Sequence, residues 1–288
     1  MKERWKKLSL LSLLILPMLG AVVFIVACGG GRSSQSVTPN PVPSIQSVSP
    51  TFVTAGASSQ TLTVSGTGFL ASSTVTFNGA PHSASFVNSG QLNITLTTSD
   101  LASAGNFPIV VTNPPPGGGS SASDTFAIWN SVANTSSSLT FSVPPLGTTP
   151  QITYSGSSSY ALFSLEIAAA NPHYGNAVTP VIRLFALSNP SQESIQQWFE
   201  DNVDDASGTL IASGAFQLQT LANGQAIIDA GPIPSTYQGG PVAYGYLLSS
   251  SQNEVYVITQ SQGAQLTEFG YSASSVPNIL TSILGSIQ

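Results

Sequence analysis

The chain has 288 residues, 41% of them apolar and only 6% charged, with 6 bases against 12 acids and a formal charge of −6. Lys2, Arg4, Lys6 and Lys7 open the chain, so beyond Cys28 only Arg32 and Arg183 stand against eleven carboxylates, a formal −9. Cations too few to cluster exclude nucleic-acid binding, which needs phosphate neutralised, and electrostatic docking to anionic lipid. A single cysteine excludes a disulfide within the chain, and the apolar content excludes wholesale disorder.

The basic start is followed by an uncharged stretch from Leu8 to Ala27, the layout of an export signal. Pro17 and Gly20 interrupt it, which weakens a spanning helix. Its end, Ile25-Val26-Ala27-Cys28, resembles the bacterial lipobox. That resemblance implies a signal peptide over 1–27, cleavage before Cys28, and acylation of Cys28. Several acyl chains on one residue would anchor the protein durably. An uncleaved signal anchor is the alternative, and both export the rest of the chain. Gly29 stands where a retention aspartate occurs in some lipoproteins, which permits transport to the outer membrane.

Residues 28–43, including "GGGRSSQSVTPNPVP", read as a flexible tether. Residues 44–129 read as strands with turn punctuation. "TLTVSG", "TVTF", "QLNITL", "FPIVVT" and "SDTFAIW" recur about a dozen residues apart, and Asn78-Gly79 is a tight-turn signal. The pattern predicts an all-β sandwich. "PSIQSVSPTFVTAG", "LTVSGTGF", "STVTFNG", "LNITLTTSDL" and "VVTNPPPGGGSSASDTFAI" together resemble an IPT/TIG domain, an immunoglobulin-like sandwich. Gly66 and Gly68 are expected at a bend and Phe69 in the core. The resemblance implies a spacer or interaction module.

A Ser/Thr-rich linker is expected over 130–138, then an α+β domain over 139–288: an antiparallel sheet with two helices. Strands are predicted in 160–170 and 181–187. A helix is predicted over 189–202, capped by Asn189 or Ser191, with Ile195, Trp198, Phe199 and Asn202 at i, i+3, i+4 spacing so that the aromatics face inward. A hairpin turns at Asn223-Gly224, a strand pair covers 242–250 and 253–261, and an amphipathic helix closes the chain over 275–287. "SIQQWFEDN" and "NILTSILGSI" resemble the PsbP/Mog1-like group, which carries no shared catalytic residues to transfer.

Chemistry-bearing residues are sparse. His82 and His173 fall in different predicted domains and have no metal-ligand spacing. Phosphate loops and nucleophile elbows are absent from the sequence. Glu200, Asp201, Asp204 and Asp205 offer hard oxygens for calcium, although a solvated helix end accounts for them too. Glu166 and Glu254 are candidates for a glycosidase pair, with a Glu166–Arg183 cross-strand salt bridge as the structural reading. Tyr237, Tyr244, Tyr246, Tyr256 and Tyr271 are candidates for a sugar-binding face. The sequence implies no cofactor and points away from an enzyme. It implies an envelope lipoprotein, at the outer membrane or facing the periplasm, acting as a non-catalytic binding, scaffold or assembly module. Its partners are the membrane, through Cys28, and an envelope protein or glycan. A carbohydrate-binding protein or a glycan-active enzyme is the alternative.

Overall fold

The structure, a computed structural model, describes residues 38–158, 161–203, 216–220, 225–234, 242–249, 251–261 and 265–288. Cys28, the apolar stretch before it, Asp204 and Asp205 lie outside the described residues. Among the described residues no helix is long and apolar enough to cross a membrane.

The N-terminal part is an immunoglobulin-like sandwich. Its strands are β1 (Ser44–Ser49), β2 (Phe52–Thr54), β3 (Gln60–Thr67), β4 (Thr74–Phe77), β5 (Ala80–His82), β6 (Ala84–Asn88), β7 (Gln91–Leu96), β8 (Gly105–Asn113), β9 (Gly119–Ser120), β10 (Asp124–Asn134) and β11 (Leu139–Val143). One sheet runs β1-β3-β7-β6 and the other β11-β10-β8-β4-β5, with β2 parallel to β10 and β9 against β8. Alternation decides the core. Leu62 and Val64 of β3, Leu92, Ile94 and Leu96 of β7, and Ile109 and Val111 of β8 all point between the sheets. Each such side chain contributes about 1.5–3 kcal/mol. Phe69 is buried with them, as its sequence context predicted, and Gly68 takes a left-handed φ of 73°. Asn78-Gly79 forms the positive-φ turn joining β4 to β5.

Two segments differ from the sequence reading. Residues 40–43, expected at the end of a mobile tether, are fixed to the sandwich. The buried Asn113 amide donates to the carbonyls of Pro41 and Gly68 and accepts from the Ser73 hydroxyl. Asn40 is laced to the loop after β8: its amide donates to the Pro116 carbonyl, and its own carbonyl accepts from Gly118. Residues 130–138, expected as a linker, are the outer half of β10 and a tight turn into β11. Asn134 makes that turn by accepting from the amides of Ser136 and Ser137. Linker-like composition was turn chemistry.

The C-terminal part is one antiparallel sheet with a helix on each face. Its elements are β12 (Gln151–Ser155), β13 (Phe163–Asn171), β14 (Ala177–Ser188), α1 (Ile195–Asn202), β15 (Gln217–Thr220), β16 (Ala226–Pro234), β17 (Val242–Leu248), β18 (Glu254–Gln260) and α2 (Val276–Gly285). The strand order is β12-β13-β14-β18-β17-β16-β15. From β14 the chain passes through α1 to the far edge and works back to the centre. The run "VIRLFAL" is apolar on both faces because β14 is covered twice. Leu184 and Ala186 meet the core that holds α2, while Phe185 and Leu187 meet α1. Gly245 of β17 lets α2 close in, since a Cβ there would stand 2.8 Å from the Leu284 side chain.

Helix α1 starts later than predicted. Ser194 caps it, accepting from the Gln197 amide. Asn189, expected as a cap, is fully buried and holds the preceding turn through Glu193 and Gln252. Gln192 has a φ of 54°, which keeps the helix from beginning earlier.

Candidate functional site

The two sheets meet along β10 and β11. Neighbouring residues of β10 serve different cores. Phe126 and Ile128 point into the sandwich, and Trp129 points into the core shared with α2 and the C-terminal sheet. The Trp129 ring stacks on Phe52, centroids 3.8 Å apart and planes 13° from parallel. On the far side, β11 is bound by the chain's own end. Thr140 and Gln288 exchange backbone hydrogen bonds, and the Ser142 amide donates to the Ser286 hydroxyl. The junction is therefore a packed, hydrogen-bonded seam.

Beside this seam lies a cleft of about 680 Å³, lined by Ser103, Asn106, Asn130, Thr148, Thr149 and Phe269 among others. A second hollow of about 240 Å³ shares Leu146, Gly147, Thr148 and Phe269 with it and reaches Pro172, Asn176 and Glu268. The shared residues make the two hollows one groove. Three segments build its walls. Residues 103–106 are the approach to β8 and its first two residues. Residues 145–149 follow β11 and are pinned by the buried Leu146, with Gly147 at a φ of 76°. Residues 266–269 form a single 3-10 turn anchored by the buried Leu266.

The groove is braced from within. Tyr271 donates its hydroxyl to the Pro145 carbonyl at 2.7 Å. At the other end the fully buried Asn171 side chain donates to the Glu268 carboxylate, while its Oδ1 accepts from the His173 amide. Burial pushes the Tyr271 phenol from its usual 10 up to about 12, with the Asn106 side chain working the other way. Burial also raises Tyr256, and the nearby Glu254 carboxylate, which accepts its hydroxyl, adds to the rise. Both shifts favour the neutral phenol in the fold, so the stability they carry is full below pH 10. It is lost as pH climbs from 10 towards 12, where the unfolded chain ionises first. Thermal melts in steps across that interval should fall for the wild type and fall less steeply for Tyr271→Phe. Parallel curves would remove Tyr271 from this account.

The residues singled out from sequence are scattered. Glu166 and Arg183 are direct cross-strand partners on β13 and β14, with nitrogen-to-oxygen distances of 2.9 Å. Glu254 stands opposite Ser188, five positions along the ladder from Arg183. That is about 17 Å along the strand, against the roughly 5–10 Å that a glycosidase pair requires. The two glutamates are not brought together. His82 bonds to Asp100 at 3.1 Å, and the His173 side chain is exposed beside a turn. Asp100 is held below its usual value: slight burial raises it, and hydrogen bonds from Thr97 and from His82 outweigh that.

The tyrosine face does not form among the described side chains. Alternation puts Tyr246 against α1 and Tyr256 in the opposite core, and Tyr271 braces the groove. The side chains of Tyr237 and Tyr244 lie outside the described residues. At the end of α1 Glu200 is half-buried and Asp201 exposed, each accepting from a glutamine one turn back. Among the described residues, no three metal-ligating side chains gather. Sequence reasoning missed the groove itself. Its walls are Ser/Gly/Asn and Pro/Gly/Thr segments that carry no motif, and only the meeting of the two sheets gives them a common purpose.

A family model described as IPT/TIG domain matches residues 43–128. This segment is an IPT/TIG domain. The match ends there, and the likeness of residues 139–288 to the PsbP/Mog1-like group is not confirmed. No curated protein matches the chain. Among solved structures it is similar to an auxiliary nutrient binding protein from Bacteroides ovatus ATCC 8483, at 13% identity and a TM-score of 0.23, covering 75% of this chain and 48% of that one. It is also similar to one from Bacteroides thetaiotaomicron VPI-5482, at 13% identity and a TM-score of 0.24, covering 78% of this chain and 50% of that one. The chain spans about half the length of those two structures.

Proposed function

We propose that this chain is a lipid-anchored binding module of the bacterial cell envelope, and that it performs no catalysis. The observation that carries the reading is the braced groove at the junction. Two sheets share one core through Trp129 and β11, so a hollow formed jointly by both is held in a fixed shape. A preformed concave surface of about 300–1,000 Å³ with a few polar groups suits a ligand site. A hydrolytic reading finds less support, because Glu166 is occupied by Arg183 and lies far from Glu254. The lipobox at Cys28 supports the anchor, and the absence of lysine beyond it argues that attachment is acyl rather than electrostatic.

Two measurements test this reading. Intact mass of the membrane fraction should give a chain beginning at Cys28 with acyl chains attached, lost in Cys28→Ala. An unmodified chain beginning at Met1 would overturn the anchor. Amide hydrogen exchange on the full-length protein should show protection at Asn106 and Thr148 when solubilised envelope material is added. Unchanged exchange at both would overturn the binding role, whatever the ligand class.

A further inference from the structure

We infer that the groove takes an uncharged, hydroxyl-rich chain, an oligosaccharide, laid across Phe269. The inference rests on the binding reading above and names its ligand class. The groove's polar lining is neutral along most of its length: Ser103, Asn106, Asn130, Thr148 and Thr149 at one end, Asn176 at the other. Hydroxyls and amides both donate and accept, as the hydroxyls of a sugar do. An anionic ligand would find no counter-charge. Among the described residues the sole arginine or lysine is Arg183, which is paired with Glu166, and the one charge lining the groove is the Glu268 carboxylate. Glu268 is itself engaged by the buried Asn171, which leaves it oriented as an acceptor for a hydroxyl.

Shape narrows the class further. The two hollows share four residues, so they are successive subsites along a groove rather than separate pits. Phe269 lines both and is half-buried, with the rest of its ring packed on the core that holds α2. A fixed aromatic surface shared by a polar hollow and a second one walled by Leu146, Ala170 and Pro172 with Asn176 and Glu268 at its edge suits a ligand with alternating apolar faces and hydroxyl edges. A mainly apolar ligand would strand the hydroxyls and amides without partners. Tyr271 and Leu146 hold the walls in place, so little ordering is lost on binding.

Calorimetric titration of the full-length protein in detergent tests the inference. The probes are uncharged hexasaccharides of glucose, mannose and xylose, an oligogalacturonate of the same length, and an uncharged hexapeptide. At least one uncharged hexasaccharide should bind. Phe269→Ala should weaken it about tenfold, the size of a lost aromatic contact. Thr148→Trp, on an exposed loop position, should abolish binding by filling the groove. Phe86→Ala, on the exposed strand β6, should leave it unchanged. Melting curves establish that each variant is folded. Equal loss in Phe86→Ala, or tighter binding of the oligogalacturonate, overturns the inference. So does a failure of all three hexasaccharides, while protection by envelope material would leave the binding role standing. A hexapeptide that binds and is displaced by Thr148→Trp overturns the ligand class and keeps the groove.

Discussion

Replacing Trp129 with alanine should cost about 3–5 kcal/mol and split a single unfolding transition into two. Trp129 sits on a strand of the sandwich, yet its ring is 4% exposed within the core of the C-terminal sheet. Its loss removes the stack on Phe52 and opens a cavity at the seam. The main chain there still pairs with β2, since Trp129 aligns with Thr54 and its carbonyl accepts from Ala55. Each part should therefore stay folded while the coupling between them weakens. Scanning calorimetry reads this directly: one peak for the wild type, two for the variant. A double-mutant cycle with Phe52→Ala should give a coupling of about 0.5–1.5 kcal/mol, the usual worth of an aromatic pair. An unshifted single peak in Trp129→Ala would mean that the seam does not hold the parts together. The groove would then lose its claim to a fixed shape.

The second large effect is expected at Asn113. Asn113→Ala should cost about 3 kcal/mol, because the buried Ser73 hydroxyl and two partly buried carbonyls lose their hydrogen bonds at about 1–3 kcal/mol for a buried group. The carbonyls of Pro41 and Gly68 and the Ser73 hydroxyl all depend on this one amide. For a chain of this size the melting temperature should drop by about 6–12 °C. Ser73→Ala removes only one of these bonds and should cost less. The loss should also be local. Hydrogen exchange at the Asn40 and Gly118 amides, which close the clamp on the loop after β8, should accelerate before the rest of the sandwich opens. If those amides stay protected in Asn113→Ala, then Asn40 holds the segment by itself. Asn113 ties down the residues through which a lipid tether would pull, so it bears on how the proposed anchor is coupled to the fold.

Much of the architecture was legible because periodicity and turn chemistry are local. Strict alternation in "TLTVSG" and "QLNITL" specified half-buried strands, and Asn78-Gly79 specified a hairpin, before any contact was known. The spacing of Ile195, Trp198 and Phe199 specified the inward face of α1, and the apolar Ile279, Leu280, Ile283 and Leu284 did so for α2, although Ile279 is only partly buried. The Glu166–Arg183 pair was readable as two strands with matching positions. Local signals misled where they serve two purposes. Asn and Ser in "ANTSSS" look like a linker, and they make a tight turn once β10 and β11 pair. Asn189 looks like a helix cap and is a buried strut.

By itself, then, the sequence determined most of the strands, the inward faces of the two helices, the immunoglobulin-like class of the first part and the poverty of charge. Those follow from residue type and spacing along the chain. Only the tertiary structure decided that Trp129 belongs to the second core, that residues 40–43 are clamped by Asn113, and that Glu166 and Glu254 stand apart. It alone decided that segments at 103–106, 145–149 and 266–269 line a groove. The reason is sequence separation. Each of these contacts joins segments tens of residues apart, and the residues that make them are ordinary Asn, Thr, Pro and Phe whose roles are set by what faces them.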